Sequence, residues 1–104
     1  MANPHRGEIA AMIDGEEHVL CLTLGALAEL EDRLQAGDLV GLSERFATGR
    51  VSARDLTAII GAGLRGGGTA VTDDQLARMQ IEGGLTGAAE IAARLLRATF
   101  GQAA

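Results

Sequence analysis

The stretch "GEIAAMIDGEEHVLCLTLGALAELEDRL", residues 7–34, carries two hydrophobic periods in succession. In its first part Ile9, Ala11 and Ile13 alternate with Glu8, Ala10 and Met12, and Leu20, Leu22 and Leu24 alternate with Val19, Cys21 and Thr23. Period two is the mark of a strand. Between the two arms, 8–13 and 18–23, stands Asp14-Gly15, a dipeptide that tolerates the positive φ of a two-residue hairpin turn. After Thr23 the period lengthens to about 3.6. Leu24, Leu27, Ala28, Leu30 and Leu34 then form one apolar stripe, with Glu29, Glu31 and Asp32 outward. A β-hairpin over about 8–23 should therefore lead straight into a helix ending near Gly37.

A lone two-stranded hairpin is marginal in water, so this one has to dock. Neither of its faces is polar throughout. One face is expected to cover the helices, and the second is available to another chain. Ile9, Met12, Cys21 and Leu22 are the expected contacts with a second copy or a partner. Open strand edges favour the same outcome.

Downstream the chain reads as short helices. Asp38 can cap one carrying Leu39, Leu42 and Phe46 that stops near Gly49. Ser52 and Asp55 resemble a capping box ahead of Leu56, Ile59, Ile60 and Leu64. Thr72 and Gln75 form a second capping box, opening a helix with Leu76, Met79 and Ile81. A last helix from about Thr86 to Phe100 has Ala89, Ala92, Leu95, Leu96 and Phe100 as its expected core positions. The predicted architecture is α+β and mainly α, a hairpin packed on four or five short helices. One domain is expected over 1–104, its helical part about 24–101.

Composition narrows the function. The chain has 104 residues, is 47% hydrophobic, and has two aromatics, Phe46 and Phe100. Its core must be aliphatic. The net charge is −5, with nine arginines and no lysine, which argues against nucleic-acid binding because phosphate contact needs a basic face. A single cysteine excludes an internal disulfide. With no signal peptide and no run of about 20 apolar residues, a cytoplasmic protein that does not enter the membrane is expected.

Chemistry is sparse. Arg65-Gly66-Gly67-Gly68 looks at first like a phosphate cradle, yet a P-loop needs a lysine and a preceding strand, and here the glycines follow a helix. Asp73 and Asp74, at the start of the next helix, would repel an anion. Those glycines are expected to stop one helix and join it to the next. Metal sites lack donors, since His5, His18 and Cys21 are the only soft ligands. Ser43 and Ser52 have no adjacent histidine in sequence, and Cys21 is expected to be a small buried apolar residue, not a nucleophile. No enzyme activity, cofactor or metal is expected. The small residues Gly61, Ala62 and Gly63, with Ala88, Ala89, Ala92 and Ala93, let helices approach closely, within the core or across a subunit boundary.

Five segments together carry a family resemblance: "ANPHRGEI" (2–9), the Asp14-Gly15 turn, "LTLGALAELEDRL" (22–34), "RFATGRVSARDLTAIIGAGLRGGG" (45–68) and "ARLLRATFG" (93–101). They resemble the small tail proteins of gene transfer agents, related to phage tail assembly chaperones and also described as tail tube proteins. The resemblance runs from Asn3 to about Gly101, with Leu24–Glu31 and Gly63–Gly68 its most specific pieces. It implies no catalytic residues. It does imply a part in building a phage-like tail, as a chaperone that keeps the tape-measure helix soluble until the major tube protein polymerises around it. The alternative it leaves open is a tube component retained in the particle. A small helix-turn-helix regulator, with Gly49-Arg50 at its turn, is a remote third reading that the charge disfavours.

Overall fold

The computed structural model describes residues 2–34 and 52–100. After a single 3-10 turn, Pro4–Arg6, come strands β1 (Glu8–Ile13) and β2 (Glu16–Cys21) and helix α1 (Leu24–Leu34). Helices α2 (Ala53–Gly66), α3 (Asp73–Leu76) and α4 (Gly84–Phe100) follow. The fold is α+β and mainly α, a hairpin with four helices among the described residues. The helix expected between Asp38 and Gly49, and the Gly49-Arg50 turn, lie outside those residues.

The hairpin forms as its alternation requires. β1 and β2 pair antiparallel, with Ile9 opposite Leu20, Ala11 opposite His18 and Ile13 opposite Glu16. Asp14 (φ 56°) and Gly15 (φ 79°) both take left-handed backbone at the turn. Two positive φ angles in a row give the turn the twist that matches the flanking strands. Register then puts Ile9, Ala11, Ile13 and Leu20 on one face, and all four are buried. That face packs on α2 and α4, while α1 packs on α2.

Both capping boxes are present. Ser52 Oγ accepts from the Asp55 amide at 3.1 Å, and the Asp55 carboxylate accepts from the Ser52 amide at 3.1 Å. Thr72 and Gln75 exchange the equivalent pair at 3.0 and 2.9 Å. Each box satisfies two amides that a helix start leaves without intrahelical partners.

The core gathers Ile13, Leu20, Leu30, Ile59, Ile60, Leu64 and Leu95 as its largest fully buried side chains. Each contributes about 1.5–3 kcal/mol by leaving water. Gly63 sits where α2 crosses β2 and α4; a Cβ there would stand 2.6 Å from Leu95 Cδ2 and 3.3 Å from Leu20 Cβ. The small-residue run of α2 thus serves internal packing.

Several positions depart from the expected stripes. Leu24 is 86% exposed and Phe100 44% exposed, because they occupy the first and last positions of their helices, past the neighbours that would cover them. On α4 the buried positions include Ala88 and Ile91, with Ala89 only half-buried. The third helix ends at Leu76, short of Met79 and Ile81. Ile81 instead bridges Ile13, and the Gln80 carbonyl accepts from the Asp14 amide at 2.6 Å. Pairing with the end of β1 draws those residues out of the helix.

Candidate partner-binding surface

The glycine run is a packing device. The amides of Gly67, Gly68 and Thr69 already donate to the carbonyls of Gly63, Leu64 and Arg65 at 2.8–3.2 Å, closing the end of α2. None of these three is left to bind an anion. Gly66 and Gly67 also press on β2: a Cβ on Gly66 would fall 2.0 Å from the Cys21 carbonyl oxygen, and one on Gly67 would fall 1.9 Å from that of Val19. The run therefore shields the outer edge of β2. The edge of β1 is engaged as well, since Arg94 donates to the Ala10 carbonyl at 3.1 Å and Ile13 bridges Ile81. Edges occupied in this way resist the addition of another strand.

Electrostatics fasten the helices to one another. Arg65 on α2 donates to Asp73 at 3.0 Å, to the Val71 carbonyl at 2.9 Å and to Glu29 of α1. Arg33 of α1 pairs with Asp73 and lies 3.9 Å from Glu29. Burial alone would lower the pKa of Arg65, but its hydrogen bonds to Asp73 and Glu29 outweigh that and raise it. Gly61 leaves the space for this cluster, because a Cβ there would stand 2.3 Å from Asp73 Oδ1.

The four expected contact residues divide. Ile9 and Leu22 are buried at 7% and 6% exposure, since register turns them onto the inner face. Met12 is 41% exposed, and Cys21 is half-buried with Sγ 3.9 Å from the Arg6 carbonyl. In sequence Ile9 and Leu22 alternate like residues of an open face; α2 and α4, packed on that face, bury them.

Two depressions open beside α4. One, about 130 Å³, is apolar and lies among Leu56, Ile60, Leu76, Met79, Leu85 and Ala88. At that size it takes a single side chain, much as an engineered cavity of about 150 Å³ takes benzene. Leu85 on its rim is 68% exposed. The other, about 290 Å³, runs between β1 and α4 and is lined by Ala10, Met12, Glu17, Glu82, Glu90, Ile91 and Arg94 with two smaller neighbours. Neither was legible in the sequence, because each joins residues more than 30 positions apart.

No group of three His, Cys, Asp or Glu side chains is gathered as metal donors among the described residues. His18 Nδ1 lies 3.3 Å from Thr69 Oγ1, and its Nε2 is buried without a hydrogen-bond partner. No described helix is long and apolar enough to cross a membrane.

Among the described residues the hairpin has both edges engaged, the helices are fastened by ion pairs, and two depressions stand open beside α4. The family is established by comparison: residues 6–102 match the family described as phage tail tube protein, GTA-gp10. The chain belongs to that family, and is thus a tail protein of the gene transfer agent type. Comparison with curated proteins and with solved structures gave no match.

Proposed function

We propose that the protein is a tail assembly chaperone that holds the tape-measure helix in the cytoplasm until the major tube protein polymerises around it. The observation that carries this reading is the pair of depressions beside α4, each with a large apolar side chain, Leu85 or Met12, standing exposed at it. Helices of partner proteins dock by setting apolar anchors into such hollows. The occupied strand edges support a side-chain partner over strand exchange. Self-association through the hairpin is the alternative use of the same surface, whose two outward residues, Met12 and Cys21, serve either a second copy or the partner. The whole chain acts as one domain without enzyme activity in this reading.

A second reading, a tube subunit retained in the particle, is favoured by the description of the family itself. Permanent subunit interfaces bury extended apolar area. The large apolar side chains exposed among the described residues are Met12, Leu24, Leu85 and Phe100, a modest supply for such an interface. Mass spectrometry of purified particles separates the two. Absence of the chain from particles that need it for assembly supports the chaperone; one copy per tube protein establishes the subunit.

A further inference from the structure

The hollow between β1 and α4 has a charge pattern that the apolar hollow lacks. Its floor is apolar, with Ala10, Met12 and Ile91. Around that floor stand Glu17, Glu82 and Glu90, all exposed, and none forms an ion pair among the described residues. The one cation in the lining, Arg94, has its guanidinium on the Ala10 carbonyl at 3.1 Å and more than 4.0 Å from any carboxylate in the groove. Three carboxylates against one guanidinium leave the groove net negative, on a chain whose total charge is already −5.

We propose that this groove is the docking site for a basic amphipathic helix of the partner, which sets an apolar side chain on Met12 and Ile91 and arginines or lysines on Glu17, Glu82 and Glu90. This rests on the chaperone reading and names the surface and the partner chemistry within it. A strand is the wrong shape of ligand, because Arg94 already takes the Ala10 carbonyl that an added strand would need. At about 290 Å³ the hollow has room for inserted side chains. Complementary charge would speed encounter and set the register of the helix, and salt would weaken it.

Two measurements test the groove, and a third separates it from the chaperone reading. In the first, a model helix of leucine and alanine with an arginine face, and its glutamate-faced counterpart, are titrated against the whole protein by fluorescence anisotropy. The arginine peptide is expected to bind, with affinity falling as salt rises, and the glutamate peptide to bind far more weakly. In Glu82→Lys/Glu90→Lys the arginine peptide should bind at least roughly tenfold more weakly, equivalent to about 1.4 kcal/mol. Both positions are exposed, so the fold should survive, as circular dichroism would show. Equal binding of the two peptides, no binding of either, or an undiminished affinity in the variant overturns the proposal. Light scattering is the second measurement: a dimer that Met12→Glu dissociates would show that a second copy covers the groove, and would overturn it too. The third is co-expression with a tape-measure protein of a gene transfer agent. Capture by the wild type but not by the lysine variant supports the groove, and capture by both removes it while the chaperone stands. Capture by neither removes the chaperone, and the peptide titration alone then decides the groove.

Discussion

Gly67 lies so close to Val19 that a Cβ on it would stand 1.9 Å from the Val19 carbonyl oxygen. The end of α2 and the edge of β2 are thus in backbone contact, with no side chain between them. The same holds for Gly66 and Cys21 at 2.0 Å. Backbone atoms cannot rotate aside, so the strand or the helix would have to move.

Gly67→Ala should therefore destabilise the protein by about 1–3 kcal/mol, as overpacking does. Gly25→Ala is the control, because only Thr23 Oγ1 at 3.9 Å would be near its new methyl group. There alanine should be neutral or stabilising by up to about 1 kcal/mol, through the chain entropy that glycine adds to the unfolded state. Urea denaturation of both variants checks the contrast; equal effects would mean that the helix end does not press on β2.

Leu30 is 1% exposed and belongs to the central core cluster. Leu30→Ala is expected to cost about 2–5 kcal/mol, the transfer of its side chain plus the cavity left behind. Leu24→Ala, at 86% exposure on the same helix, should change stability by less than about 0.5 kcal/mol. Thermal denaturation of the pair tests whether α1 packs by the face described.

Arg65 and Arg33 both pair with Asp73, yet they should differ in weight. Arg65 has 26% of its side chain exposed and also donates to the Val71 carbonyl, whereas Arg33 is 49% exposed. Arg65→Met should cost about 1–3 kcal/mol by removing the donor to the carbonyl of buried Val71 and one partner each of Asp73 and Glu29. Arg33→Met should cost at most about 1 kcal/mol, as exposed pairs do. Because the pKa of Arg65 is raised, its pairing contributes fully below its ordinary alkaline range and fades only above it. The loss in Arg65→Met should hence be the same at acid-neutral and mildly alkaline pH, measured by urea midpoint.

His18 carries a buried Nε2 with no partner. A polar atom left unsatisfied costs free energy that an apolar replacement avoids. His18→Leu should be neutral or stabilising within about 1 kcal/mol, with Thr69 losing only a 3.3 Å contact. A loss above about 2 kcal/mol in calorimetry would show that the imidazole holds the α2 exit onto β2.

Adding ATP or inorganic phosphate should leave the melting temperature unchanged. The amides of Gly67, Gly68 and Thr69 donate to helix carbonyls and have nothing to offer an anion. A ligand at 100 times its Kd would add about 2.7 kcal/mol, which a thermal shift assay resolves. A clear rise would reinstate the phosphate cradle.

Local order was legible in the chain because its causes are local. The switch of period at Thr23, the Asp14-Gly15 turn and the Ser52 and Thr72 capping boxes each depend on residues within a few positions of one another. They predicted the hairpin, the helix starts and most of the core. The family, too, could be read from its segments. Tertiary structure alone decided which hairpin residues were available to others. Ile9 and Leu22 look no different in sequence from residues of an open face, and only α2 and α4 packing on that face buries them. It also decided why Gly66 and Gly67 are glycines, since the atoms that exclude a Cβ belong to a strand more than 40 residues earlier. The acidic groove arises the same way. Glu17 and Glu90 are 73 positions apart, and nothing but the packing of β1 on α4 brings their charges to one hollow. Contacts of that range depend on how the elements pack, which no periodicity encodes.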